Sequence, residues 1–193
     1  MGKTGGGPGT NQYRVRGVTR SVNERAPLAD LMKQQMSPLD AKERLAVGIN
    51  PNTPVQTLAE LAKDPVRSVR SGVASNPNSP AHILIQLAKD KSAQVRWTVA
   101  GNHNAPAEIL AELAKDRNSV VRLAVANKRD LPIEVFVILA HDEASWVREI
   151  VAKNHKAPTA VLIQLAQDED LLVLDAVAQN PNTPAHIRAM LNI

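Results

Sequence analysis

The strongest constraint on this chain is a strict period of 26 residues: proline recurs at 54, 80, 106, 132, 158 and 184 with no insertion or deletion between the steps. A fixed period of roughly 20–50 residues belongs to stacked supersecondary units, each of which buries its apolar face only against its neighbours. The segment VASNPNSPAHILIQLAKD at 73–90 shows the unit in its plainest form. Such a chain folds as a solenoid.

With each proline as position 0, position +4 is Leu58, Leu84, Leu110, Phe136 and Leu162. Leucine fills +7 from Leu61 to Leu191, and alanine fills +8 from Ala62 to Ala166. That spacing lies on one face of a helix. Thr53, Ser79 and Thr183, just before their prolines, read as N-caps with proline at the first helical position. Aspartate stands at +10 (Asp64, Asp90, Asp116, Asp142, Asp168), near the expected end of this helix. A second apolar face follows, with valine at +15 and +19 (Val69 and Val73 in the first unit) and alanine at 74, 100, 126, 152 and 178. About seven residues long, it predicts the shorter of the two helices, partly of the tighter 3₁₀ kind. Asn-Pro-Asn-Thr/Ser-Pro then turns the chain. No stretch alternates as a strand would, so the fold class is all-α.

These residues carry a resemblance. Val-Arg-x-x-Val-Ala-x-Asn-Pro-x-Thr-Pro followed by Leu-x-x-Leu-Ala-x-Asp resembles the leucine-rich repeat variant family over residues 44–193. The resemblance implies a right-handed α-solenoid of alternating α and short 3₁₀ helices, here about five and a half units. The element that joins Asp64 to Arg70, Asp90 to Arg96, Asp116 to Arg122 and Asp142 to Arg148 is also similar to HEAT-like repeats. Both families are mainly binding scaffolds, so the resemblance implies a non-catalytic protein that binds a protein or peptide on its superhelical surface.

The ends depart from the period. Residues 27–48 read as a degenerate entry cap: one helix at 27–36, then a second opened by Ser37 and Pro38 that already keeps the register, since Arg44 and Val47 precede Arg70 and Val73 by one period. Residues 1–26 are Gly-rich and aperiodic, a composition that predicts disorder. They hold Lys3, Arg14, Arg16, Arg20 and Arg25 against Glu24, which accounts for the whole formal charge of +4. Residues 27–193 are balanced. Arg14, Arg16, Arg20 and Arg25, beside Tyr13, are therefore the candidate nucleic-acid contacts, each able to release counterions from a phosphate backbone. At the other end the sixth unit opens at Pro184 but carries Arg188 and Asn192 at the +4 and +8 positions, as a partial cap would. The leucines at 171, 172 and 174 lie beside it, which predicts an association surface for a partner or a second copy, the plainer alternative being that the last helix folds over them.

Aromatic residues make up 2% of the chain and cysteine is absent. Disulfides, thiolate zinc and iron–sulfur centres are thereby excluded, and a reducing compartment such as the cytoplasm fits. No apolar run approaches the length of a membrane span, and no partner in a membrane is expected. The histidines are scattered through the repeats, so no metal or other cofactor is expected. No nucleophile–base pair or phosphate loop suggests an enzyme.

Two further columns are open to more than one reading. Arginine at 44, 70, 96, 122 and 148 forms either a basic ladder for a phosphate backbone or a row of partners for the aspartates, which share its period. The turn asparagines serve either their own backbone or a ligand. Against this regular frame, +14 and +17 vary. They include Trp97, Trp146, Leu123 and Glu149, the candidate partner-binding residues; exposed tryptophan is a frequent interface anchor, and half-burial of both between neighbouring helices is the plainer alternative.

Overall fold

The computed structural model describes residues 39–191. Several expectations lie outside the described residues: the tail 1–26 with its four arginines, the first cap helix at 27–36, the helix start at Ser37 and Pro38, and the last two positions.

Twelve helices and no strand occur among the described residues. They are α1 (Ala41–Ile49), α2 (Val55–Leu61), α3 (Arg67–Ser75), α4 (Ala81–Leu87), α5 (Ala93–Gly101), α6 (Ala107–Leu113), α7 (Ser119–Ala126), α8 (Ile133–Leu139), α9 (Ser145–Lys153), α10 (Thr159–Leu165), α11 (Leu171–Gln179) and α12 (Ala185–Leu191). Each proline opens one repeat, so α2 and α3 form repeat one and α10 and α11 form repeat five. The architecture is an all-α solenoid.

The relative helix lengths are the reverse of the sequence expectation. The proline-opened helices have 7 residues, and the second helices have 8 or 9 and are α-helical throughout. The proline-opened helix is short because it stops at the +7 leucine. Lys63 N–H and Asp64 N–H bond back three residues, to Glu60 and Leu61, which tightens the chain out of the helix. The carbonyls of the turn that follows, at Asp64 and Pro65, accept from Arg70 Nη1 of the next helix.

The caps also differ. Proline is itself the N-cap: its carbonyl accepts the first intrahelical bonds, as from Leu58 N–H to Pro54 at 3.0 Å, and no side chain caps these helices. Thr53, Ser79 and Thr183 serve the helix before them instead. Each buried hydroxyl donates at 2.6 Å to a last-turn carbonyl, of Val47, Val73 and Val177. The residue before proline is held extended, and in these three its hydroxyl reaches back six residues. Helix α1 starts at Ala41, capped by Asp40, whose Oδ1 accepts from Lys42 and Glu43 N–H at 2.8 Å while Glu43 returns a bond to Asp40 N–H.

The core is one continuous ladder of aliphatic layers. Position +3 (Ile83, Ile109, Val135, Val161), together with +4, +7, +15 and +19, is buried in every full repeat where it is apolar. Alanine at +20, preceded by Gly48, lets the second helices approach closely; a Cβ on Gly48 would sit 3.4 Å from the Val69 carbonyl. These longer helices pack on one another from α1 to α11, whereas the short ones pack mainly on their long neighbours.

Asparagine closes one edge of each junction. Asn102 Nδ2 donates to Ala74 O (2.7 Å) and Asn76 O (3.0 Å) of the preceding repeat, while its Oδ1 accepts from Asn104 N–H (2.8 Å). Asn76 and Asn180 repeat this pattern. Each therefore makes its own turn, as expected, satisfies one orphan carbonyl at the end of the preceding long helix (Gly48, Ala74 or Ala152), and shares the cap asparagine's carbonyl with a backbone N–H such as that of Ser79.

Candidate interaction surface

The arginine column is fully committed to the frame. Arg44, Arg70, Arg96, Arg122 and Arg148 bridge forward to Asp64, Asp90, Asp116, Asp142 and Asp168 of the next repeat, each with Nε–Oδ2 at 2.6 Å. The Nη2–Oδ1 contact makes each bridge bidentate. Nη1 donates to a carbonyl of the turn ahead of its own helix, as from Arg70 to Asp64 O at 2.7 Å. The arginine side chains are 7–19% exposed and the aspartates 2–8%. Burial alone would raise the Asp64, Asp90 and Asp116 carboxyls. The guanidinium bond and a backbone N–H two residues on hold them below the ordinary 3.8. At Asp168 the Arg148 hydrogen bond is the larger effect, with the same outcome. A phosphate backbone has no access to guanidinium groups spent this way, so the arginine column is not a nucleic-acid track.

Exposed apolar side chains fall on both helix rows, and both tryptophans stand on the long-helix row. Trp97 on α5 is 48% exposed and Trp146 on α9 is 53% exposed. Leu123 is half-buried and packs on the core, and Glu149 is half-buried and ion-paired with Lys153, so these two are less available. The +14 column adds Val120 and Leu172, both more than half exposed, so that Val120, Trp146 and Leu172 stand in register on three successive long helices. Leu171 is 74% exposed beside Leu172. A second exposed group, Ile133, Val137 and Ile163, lies on the short helices α8 and α10. Reading +14 alone, rather than as scatter around an invariant frame, would have found the first group.

A groove of about 530 Å³ opens beside Trp146. It is lined by Ser119, Glu143, Ala144, Ser145, Trp146, Arg148, Glu169 and Asp170. Asp170 caps α11 through Leu172 N–H, and its carboxyl is lowered by a Ser145 hydrogen bond and by backbone N–H groups. Glu143 Oε1 accepts from Arg122 at 2.9 Å while its side chain stays 82% exposed. Arg148 is spent on Asp168. The groove thus joins an indole to a largely acidic rim.

Two repeats earlier the same positions carry the opposite sign. Lys91 and Arg117 stand where Glu143 and Glu169 do, and both are exposed. Lys63, Lys89 and Lys115 at +9 add to the basic side, where His141 and Gln167 follow. The balanced body is thus polarised along its axis, which a count over residues 27–193 conceals. Among the described residues no group of three or more His, Asp or Glu could hold a metal ion, and no helix is long and apolar enough to cross a membrane.

No family model matches the chain, and no curated protein does. Among solved structures, the chain is similar to one described as a leucine-rich repeat variant with a novel repetitive protein structural motif. The match has 24% sequence identity, covers 86% of this chain and 81% of that chain, and has a TM-score of 0.44.

Proposed function

We propose that the protein is a non-catalytic scaffold that binds a protein or peptide segment along its long-helix row. The observation that carries this reading is the placement of both tryptophans of the chain, half exposed, on that row, with Val120 and Leu172 in register with Trp146. An invariant frame with bulky apolar side chains at its variable positions is how a repeat protein separates recognition from folding. A cysteine-free chain of this kind suits a reducing compartment such as the cytoplasm.

Selection of a displayed peptide library on the wild-type protein, repeated on Trp146→Glu and Trp97→Glu, tests the reading. Enriched sequences should lose binding on one or both variants. Enrichment that both variants leave intact would remove the long-helix row as the site.

Nucleic-acid binding is the second reading. With the arginine column spent, it rests on Arg14, Arg16, Arg20 and Arg25 in the tail. Salt titrations of DNA binding by the full chain and by residues 27–193 test it: loss of the tail should flatten the salt dependence. Exposed Leu171, Leu172 and Met190 make weak self-association the third, read by light scattering at micromolar concentration.

A further inference from the structure

The proposal rests on the scaffold reading above and names the partner's chemistry. Trp97, Val120, Trp146 and Leu172 occupy long helices of repeats two, three, four and five in turn. Packed helices stand about 10 Å apart, so the row covers about 30 Å. Two turns of an α-helix, seven residues at 1.5 Å each, also advance about 10 Å. A partner helix lying along the row would therefore present one apolar side chain to each repeat at heptad spacing, and about 20 residues would cover all four.

Charge fixes which end lies where. Over repeats two and three the flanking edge carries exposed Lys89, Lys91, Lys115 and Arg117. Over repeats four and five it carries Glu143 and Glu169, with Asp170 in the same groove as Trp146. A helix of uniform charge would meet attraction at one half and repulsion at the other. We infer that the long-helix row binds a single amphipathic helix of about 20 residues with an apolar heptad stripe, acidic residues in the half over repeats two and three, and basic residues in the half over repeats four and five. Exposed charge pairs are individually weak. Three or four acting together are worth about a factor of ten in affinity.

Three synthetic 21-residue helical peptides with one shared leucine stripe test this: one acidic in one half and basic in the other, one uniformly acidic, one uniformly basic. Binding is read from the fluorescence of the full chain, whose two tryptophans both lie on the row. The bipolar peptide should bind at least about tenfold more tightly than either uniform one. Glu143→Lys with Glu169→Lys should abolish that preference and favour the acidic peptide. Glu169→Lys alone, which leaves the Arg122–Glu143 contact intact, should halve the preference or better. A quencher on the basic end should dim Trp146 in Trp97→Phe more than Trp97 in Trp146→Phe. Tryptophan-dependent binding with equal affinity for the three peptides, or equal quenching from both ends, overturns the charge assignment and leaves the scaffold reading in place. If none of the peptides binds, or binding survives Trp97→Glu with Trp146→Glu, both fall together.

Discussion

Replacing Arg96 tests what the ladder contributes. Its guanidinium makes two bonds to Asp116, at 2.6 and 2.8 Å, and donates to Asp90 O at 2.8 Å and Lys91 O at 3.3 Å. Both side chains are 7% exposed. Arg96→Ala leaves Asp116 with only the Asn118 N–H at 2.8 Å and strips a buried carbonyl of its donor. Removing one partner of a buried pair costs about 3–5 kcal/mol. The surviving N–H and water entering the vacated space place Arg96→Ala at the low end, about 3 kcal/mol. For a chain of this length that lowers the thermal midpoint by roughly 6–12 °C. Replacing both partners by apolar residues removes the unpaired charge, so Arg96→Met with Asp116→Leu should cost clearly less than the sum of the single changes. The coupling is about 2 kcal/mol. Leu174 at the equivalent position of α11 shows that the fold accepts an apolar residue there. Thermal and urea unfolding followed by far-ultraviolet circular dichroism measures wild type, Arg96→Ala, both single changes of the cycle and the double. An Arg96→Ala midpoint within 1 °C (about 0.3 kcal/mol) of wild type, or strictly additive single changes, would refute the ladder as a structural element.

The same carboxylates predict acid sensitivity. Asp64, Asp90, Asp116 and Asp168 titrate below the ordinary 3.8 in the folded chain, so their contribution is complete above that value and is lost as pH falls through the lower folded values. Unfolding midpoints should therefore be flat from pH 7 to 5 and drop below about pH 4; a loss centred near pH 6 would refute the assignment to these carboxylates. Asn102→Ala should cost about 2 kcal/mol, because it leaves the Ala74 carbonyl without a donor and the Asn76 carbonyl with only the Ser79 N–H, and urea denaturation measures it. Trp97→Ser and Trp146→Gln copy residues found at the same positions of other repeats, Ser71 and Gln94. Each should change stability by less than about 0.5 kcal/mol while weakening peptide binding, and a large loss of stability would return the tryptophans to the core.

The frame was legible because repetition turns one weak pattern into five aligned copies. Leucine at +7 and valine at +15 and +19 would be ambiguous once, but in register they define two buried helical faces. Helix lengths were not legible, since Asp at +10 suits a helix end as well as the turn beyond it, and only the Arg70 bond to the Asp64 carbonyl shows why the helix stops early. Thr53 and Ser79 misled for a related reason: a hydroxyl before proline looks like an N-cap, but its partner is the carbonyl of Val47 or Val73, six residues back. The arginine–aspartate pairing was legible as a possibility, and its direction, always into the next repeat, was not. The surface was harder still. Val120 is apolar like the core, and only the variability of its column marks it as exposed.

Where the frame breaks, the surface changes sign. The turn after α7 reads Lys128-Arg129-Asp130-Leu131 in place of the asparagine–proline motif, α7 is one residue shorter than its counterparts, and Asn127 ends it in the αR conformation. Lys128 reaches only Asn102 O, at 2.7 Å, whereas Asn102 and Asn180 each hold two carbonyls of the repeat before them. Burial lowers the Lys128 amine, so this substitute carries a desolvation cost that asparagine does not. Asp130 has no N–H to offer where Asn78, Asn104 and Asn182 each donate to the previous turn, and it pairs instead with Lys156 at the surface, at 3.3 Å. Repeat three is thus the most weakly tied along the asparagine edge, while the Arg96–Asp116 and Arg122–Asp142 bridges still hold the other. The weakened edge lies between Arg117 and Glu143, the positions between which the exposed +11 column changes from basic to acidic.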